Sequence, residues 1–199
     1  MRSDGELLAA WRADDQAAGS ELFRRYFDPL YRFFVNKIAD EAEDLIQNTW
    51  IACVRYGDSL ERASSFRAYL FTVARNELYR HIRRARPCVD VDLGASSMVD
   101  LSPSPTTILG TAERDRQLLG ALRSLPVEAQ VILELHYWED LSTAELAEIL
   151  DLPQGTAKSR LRRARQLLDV ALLRGDAAED HDALDRWIRS VRGKIAPGG

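Results

Sequence analysis

Two short segments of the chain concentrate positive charge that could bind the phosphates of a nucleic acid. Residues 75–86, RNELYRHIRRAR, contain five arginines and one glutamate, and residues 158–165, KSRLRRAR, contain five cations and no acid. Clustered cations neutralise phosphate oxygens and give affinity for a nucleic acid. For either segment alone, the alternative is a solvated helix face. Since the net charge of the whole chain is -4, only these local surfaces favour nucleic acid.

The second basic segment follows a pattern typical of a helix-turn-helix. Ser142 stands three residues before Glu145, the spacing of a capping box, and a short apolar helix follows up to Leu150. The sequence DLPQG then predicts a turn. The small and apolar residues of the next helix share one face, which predicts their burial: Ala157, Leu161, Ala164 and Leu168. The alternative is an ordinary helical hairpin.

The opposite face of this second helix suits the major groove of duplex DNA. Outward residues on the helical wheel are Thr156, Ser159, Arg162, Arg163 and Gln166. Arginine can read guanine edges in the major groove, and Lys158, Ser159 or Arg160 can hold phosphate. We therefore interpret this segment as a recognition helix.

The first basic segment belongs to a predicted helix over residues 64–86. Phe66, Leu70 and Val73 lie on one side of the helix, which should face a core. The far side combines guanidinium groups, an amide and an aromatic ring: Thr72, Arg75, Asn76, Tyr79, Arg83 and Arg86. This combination suits unpaired nucleic acid, because arginine neutralises phosphate and tyrosine stacks on a base. The preceding GDSLERASS loop could rim a pocket for an extruded base. An amphipathic helix with a solvated face is the alternative.

A further predicted helix, residues 41–56, carries an exposed stripe that indicates a protein contact. Its inward face contains Leu45, Thr49, Ala52, Cys53 and Tyr56. Its outward arc contains Asp44, Gln47, Asn48, Ile51 and Arg55. An isoleucine among polar groups fits a binding surface, although single exposed apolar residues are common on any protein.

Outside residues 87–110 the periodicity is helical, which predicts an all-α protein of two small helical domains joined by a flexible linker. We divide the chain into a helical domain (1–86), a linker (87–111), a helix-turn-helix domain (112–174) and a C-terminal extension (175–199). The linker has three prolines and no Lys or Arg. Helices are predicted near residues 5–14, 19–38, 41–56, 64–86, 112–124, 127–137, 142–150, 154–173 and 180–194. In the extension, an apolar stripe predicts an amphipathic helix that packs on the C-terminal domain or on a regulator: Leu184, Trp187, Ile188, Val191 and Ile195. The alternative is a loosely ordered tail.

Metal, cofactor and membrane functions find no support in the sequence. Cys53 is predicted to be a core residue and Cys88 an exposed thiol, and neither they nor the three histidines form a ligand pattern. No apolar run is long enough to span a bilayer, and the N-terminus has no signal-peptide core. We therefore expect a cytoplasmic protein without cofactor or catalytic residues. A metal-dependent nuclease using Glu43, Asp44 and Asp58 is the disfavoured enzymatic alternative.

Four ordered blocks of the sequence resemble the extracytoplasmic-function (ECF) sigma factors of bacterial RNA polymerase. The blocks are AEDLIQNTW (42–50), SFRAYLFTVARNELYRHIRR (65–84), LRSLPVEAQVILELHYWEDLSTAELAEIL (122–150) and GTAKSRLRRARQLL (155–168). The resemblance implies a specificity subunit with a sigma region 2-like bundle and a region 4-like helix-turn-helix domain. Its partners would be core RNA polymerase, promoter DNA and, as an open question, an anti-sigma factor.

The same resemblance implies roles for particular residues. Polymerase-binding residues, which would dock on the clamp helices of the largest subunit, are Asp44, Gln47, Asn48 and Ile51. Residues for the melted non-template strand of the -10 element are Arg75, Asn76, Tyr79 and Arg83. Residues for the duplex -35 element are Thr156, Lys158, Ser159, Arg160, Arg162 and Arg163. Family members usually carry an acid at the position of Asn48, which weakens the assignment there. The linker would thread toward the RNA exit channel, where its aspartates could mimic phosphate.

A different class of protein fits the helix-turn-helix alone. A stand-alone transcriptional regulator would bind duplex operators without polymerase and would not need the exposed stripe of residues 42–56. The acidic balance of the chain argues that polymerase supplies most of the non-specific affinity for DNA.

We predict that the chain alone binds promoter DNA only weakly, because its two basic segments sit on an acidic body. An electrophoretic shift assay at physiological salt, with promoter DNA and no core enzyme, measures this. Nanomolar binding would contradict the prediction and favour the stand-alone regulator.

Overall fold

The computed structural model describes residues 2–55, 65–85, 113–173 and 181–192, and within these ranges every regular element is a helix. The helices are α1 (Asp4–Arg12), α2 (Gln16–Val35), α3 (Ala42–Arg55), α4 (Phe66–Ala85), α5 (Glu113–Arg123), α6 (Val127–Tyr137), α7 (Thr143–Leu150), α8 (Gln154–Leu173) and α9 (His181–Val191). The predicted all-α class is confirmed, and each predicted helix is found within a few residues of its expected bounds. None of the described helices is long and apolar enough to cross a bilayer.

Side-chain caps explain where several helices begin and end. The predicted capping box at Ser142 and Glu145 starts α7, and Ser3 with Glu6 forms a second one at the start of α1. Such reciprocal bonds satisfy backbone N–H groups that have no partner within the helix. Asp151 ends α7 in the left-handed region, with φ of 55°, and thereby sets the turn into α8.

The N-terminal unit, α1 to α4, packs around a core of aromatic and aliphatic side chains. Phe34 and Phe71 are fully buried in it, and Cys53 has no exposed surface, as predicted. Burial raises the pKa of the Cys53 thiol to about 12, so the group stays protonated. The indole of Trp11 lies directly on Gly19, where a Cβ atom would come within 2.4 Å of Trp11 Nε1. The glycine therefore permits the close approach of α1 to α2.

The C-terminal unit, α5 to α9, is built around α8, which contacts α5, α6 and α7. The extension packs on this unit through α9, whose Trp187, Ile188 and Val191 are buried. Trp138 Nε1 donates to the carbonyl of Ile188 at 2.9 Å, and Trp187 Nε1 donates to Asp115 at 3.0 Å. The side chain of Leu184 and all of Ile195, which the sequence placed in the same stripe, lie outside the described residues.

The two units pack against each other. Helix α4 of the N-terminal unit lies along α7 of the C-terminal unit. Just after α2, Lys37 forms a buried ion pair with Glu134 of α6. A second contact is made by Glu139, which pairs with Arg32 at 3.2 Å and with Arg67 at 3.7 Å. The arrangement brings the first predicted nucleic-acid surface close to the helix-turn-helix.

Candidate nucleic-acid and protein interfaces

Helix α8 presents the predicted recognition face to solvent. Its inner residues are buried as expected: Ala157, Leu161, Ala164 and Leu168. On the outer side, Lys158, Ser159, Arg162 and Arg163 are exposed, and Thr156 is half-buried. Because α7 and the turn after Asp151 hold α8 in place, these side chains form a continuous polar and cationic surface of the kind that enters a major groove.

Arg160 differs from the other cations of α8. It is half-buried and forms an ion pair with Glu128 at the start of α6. Burial raises the pKa of Glu128, and the adjacent Arg160 opposes that shift. In this state the guanidinium is held by the protein, so it would have to leave Glu128 to contact phosphate.

The far side of α4 is only partly exposed, contrary to the sequence-based prediction. Asn76 and Arg83 are exposed, but Arg75 is half-buried and Tyr79 is only 7% exposed. The helical wheel predicted exposure because it considers one domain at a time, whereas α7 packs on this side of α4. Thr72 is half-buried as well, and Arg86 and residues 57–64 of the preceding loop lie outside the described residues.

Contacts from both units hold the covered part of α4. Arg75 Nη1 donates to the carbonyl of Ile149 in α7 at 2.5 Å, and Arg75 Nη2 donates to Asn76 Oδ1 at 3.0 Å. Burial lowers the pKa of Arg75. Burial raises the pKa of Tyr79, and the nearby Glu128 carboxylate raises it further. Two groups with the chemistry to bind a single strand are therefore engaged by the helix-turn-helix unit.

The stripe on α3 is exposed as predicted. Asp44, Gln47 and Asn48 are exposed, and the side chain of Ile51 is 48% exposed. Leu45, Thr49 and Cys53 face inward, Ala52 is half-buried, and Tyr56 lies outside the described residues.

The sequence reasoning missed two apolar side chains near this stripe, Val54 of α3 and Phe23 of α2, which are 45% and 43% exposed. Phe23 packs on Trp50 with ring centroids 5.6 Å apart and lines a groove of about 570 Å³ together with Trp11 and Phe27. The aromatic residues along α2 carry the signal, but only the helix itself, and no exposed face of it, was predicted from the sequence.

Metal chemistry finds no site in the described part of the chain, where no group of three or more His, Cys, Asp or Glu side chains could hold an ion. Glu43 and Asp44 are exposed at the start of α3, while Asp58 and Cys88 lie outside the described residues.

Comparison with known proteins identifies the family. Residues 22–87 match the family model for sigma-70 region 2, and residues 115–168 match the model for sigma-70 region 4. The ECF RNA polymerase sigma factor EcfG of Rhodopseudomonas palustris is 35% identical over 157 residues, which cover 78% of this chain and 83% of the relative. SigL of Mycobacterium tuberculosis is 32% identical over 164 residues, which cover 78% and 92%. The chain belongs to the ECF RNA polymerase sigma factors.

A solved structure supports this membership at the level of the fold. The sigma factor RpoE of Bartonella quintana, crystallised with the anti-sigma factor NepR, matches with a TM-score of 0.60 and 28% identity over 77% of this chain and 95% of that one. The chain is thus a sigma factor that binds RNA polymerase and directs transcription from promoters. The alternative of a stand-alone regulator is not favoured. The relatives of this chain are named as sigma factors and not as enzymes.

The burial of Tyr79 leads to a stability prediction. Its hydroxyl has no hydrogen-bond partner among the described residues. Tyr79→Phe should therefore leave the free energy of unfolding unchanged or raise it by up to about 1 kcal/mol, because it removes an unsatisfied buried group. Tyr79→Ala should lower it by about 3 kcal/mol, because it leaves a cavity.

Urea denaturation of the wild type, Tyr79→Phe and Tyr79→Ala measures these changes in the free energy of unfolding. Tyr26→Phe is the matched control, since the Tyr26 hydroxyl donates to Asp4 and its loss should destabilise the protein by about 1 kcal/mol. Destabilisation of Tyr79→Phe by as much as the control would contradict the absence of a partner.

Proposed function

We propose that this sigma factor works through three separate surfaces, one for the polymerase and two for the promoter. Region 1–86 would dock on core polymerase and open the -10 element, and region 112–174 would bind the -35 element. Region 87–111 would be the linker between them, and region 175–199 a C-terminal extension. The observation that carries the proposal is that one chain combines an exposed cationic face on the second helix of a helix-turn-helix with an exposed mixed stripe on α3.

The -35 element would be bound as duplex by α8. The proposed contact residues are Thr156, Lys158, Ser159, Arg160, Arg162 and Arg163. Support comes from the exposure of Arg162 and Arg163, which face away from the buried alanines and can reach base edges. Lys158 and Ser159 are exposed on the same helix and can hold phosphate, a kind of contact that fixes the orientation of a protein on duplex DNA.

The -10 element would be bound as a melted non-template strand by α4. The proposed contact residues are Arg75, Asn76, Tyr79 and Arg83. Asn76 and Arg83 are exposed and could make the first contacts. Arg75 and Tyr79 would join them only after α7 moves away, because α7 covers Tyr79 and holds the half-buried Arg75 through the carbonyl of Ile149.

The polymerase would be bound by α3, with Asp44, Gln47, Asn48 and Ile51 against the clamp helices of its largest subunit. An interface of this kind needs an apolar anchor surrounded by polar groups. Ile51 is the anchor in this stripe, and the polar side chains around it are exposed.

The cellular location of the chain and a further protein partner follow from its function as a sigma factor. Since the polymerase and its template lie in the cytoplasm, we place the chain there. An anti-sigma factor is the further partner that we propose, because the related RpoE was solved in complex with one. No cofactor is needed for any step proposed here.

Run-off transcription with purified core polymerase on genomic fragments tests the function and identifies a promoter. The wild-type chain should produce discrete transcripts. Ile51→Asp should weaken core binding by about tenfold or more, because it places a charge at the centre of the proposed interface. Val170→Asp, a similarly exposed apolar residue at 51% on α8, is the matched control and should keep wild-type core binding. Absence of any transcript from the wild type would exclude the proposed function.

Arg163 tests the -35 assignment separately. Arg163→Ala should weaken promoter recognition by about 1 to 3 kcal/mol and relax base preference at one position of the -35 element. Transcription from a set of promoters with single-base changes measures this. Arg116→Ala on α5, an exposed arginine outside the proposed surfaces, should change nothing. Equal weakening on every sequence would mean that Arg163 contacts only phosphate.

A further inference from the structure

One contact between the two units is formed by four polar side chains, which we call the ionic latch: Asn36, Lys37, Arg123 and Glu134. The first two and Glu134 are buried, and Arg123 is half-buried. Lys37 and Glu134 form an ion pair, and their side chains are 0% and 2% exposed. Asn36 Nδ2 donates to Glu134 at 2.7 Å, and Arg123 Nε donates to Asn36 Oδ1 at 2.9 Å. Asn36 and Lys37 come from the N-terminal unit, and the other two come from the C-terminal unit.

Burial makes each charge of the ionic latch depend on its partner. Burial lowers the pKa of Lys37 and raises the pKa of Glu134, and each charge opposes the shift of the other. A single buried charge without its partner is strongly unfavourable, whereas the intact pair is worth little more than two hydrated charges. The pair can therefore specify how the units dock without locking them together.

The docked arrangement covers groups that the proposed function needs on DNA. Arg75 donates to the carbonyl of Ile149, and Tyr79 is buried near Glu128. Among the described residues, Arg75 Nε and the Tyr79 hydroxyl have no hydrogen-bond partner. An interface that leaves buried polar atoms unsatisfied is weaker than its area suggests. A nucleic acid that satisfied these atoms would therefore favour separation of the units.

We propose that the docked arrangement is autoinhibitory: the free chain closes through the ionic latch over Arg75 and Tyr79, and opening exposes them to the single-stranded -10 element. This inference rests on the proposed function of α4. The exposed stripe of α3 and the cations Arg162 and Arg163 stay accessible in the closed state. Polymerase can therefore bind α3 first, and any partner that binds the open state better shifts the chain toward it.

Single substitutions in the ionic latch should open the chain. Glu134→Gln leaves Lys37 buried without a counter-charge. Lys37→Met leaves Glu134 buried without its ion-pair partner, with only the half-buried Arg123 of its own unit as a nearby positive charge. Both charges become hydrated on opening, so the units themselves should remain folded, as circular dichroism can verify. The double variant Lys37→Met with Glu134→Gln lacks both charges of the buried pair and should close again. Glu113→Gln is the control, because it makes the same charge change at an exposed i,i+3 pair on α5.

Two measurements report the opening of the chain and its effect on strand binding. Fluorescence energy transfer between dyes on Glu43→Cys and Gln117→Cys, in a Cys88→Ser background, reports the distance between the units; the buried Cys53 should not react. Fluorescence anisotropy reports binding of a 20-nucleotide non-template strand from the promoter mapped by run-off transcription. We expect lower energy transfer and about tenfold tighter strand binding for each single variant, and wild-type values for the double variant and Glu113→Gln.

The outcomes separate the two proposals. Unchanged energy transfer in the single variants would overturn the proposed role of the ionic latch. Lower energy transfer without tighter strand binding would overturn it as well. So would an equal increase in strand affinity in the Glu113→Gln control. In each of these cases, run-off transcription by the wild type would leave the proposed function standing. Failure of the wild type to initiate transcription with core polymerase would overturn both.

Discussion

A buried charge requires a partner, and this constraint governs how the two units of the sigma factor meet. Lys37 and Glu134 are almost fully enclosed, and each comes from a different unit. Neither could stay charged in that position without the other. The contact is therefore specific in register, since a shift of one helix relative to the other would separate the charges. It is also reversible, because water solvates both charges when the units part.

The C-terminal helix extends this contact on the side of Glu139. That carboxylate pairs with Arg32 and Arg67 of the N-terminal unit, and Arg192 at the end of α9 approaches it to 4.0 Å. Trp138, the residue before Glu139, donates its indole N–H to α9. The extension therefore supports the segment that carries the second interdomain contact. Anything that displaced α9 would loosen the position of Glu139 as well.

Local signals in the sequence were sufficient for the helices but not for the contact between the units. Capping at Ser142 and the apolar faces of α3 and α8 are consequences of period and spacing within one segment, so they could be predicted. The burial of Tyr79 and the pairing of Arg160 with Glu128 depend on residues far away in the chain. A helical wheel has no information on such neighbours. It placed Tyr79 on the outer side of its helix, and Arg160 was expected to be available for phosphate. The exposure of Phe23 could not be predicted either, because phenylalanine is more often buried than exposed.

The acidic balance of the chain and the closed arrangement both weaken the binding of the free chain to DNA. A net charge of -4 weakens encounters with random DNA, while closure buries Tyr79 and leaves Arg75 half-buried against α7. The recognition face of α8 stays exposed, but a single helix-turn-helix with a few cations on an acidic body has little affinity for duplex by itself. Promoter binding then requires the polymerase for two physical reasons. It adds the missing electrostatic affinity, and it offers binding energy to the open form, in which both promoter surfaces can act together.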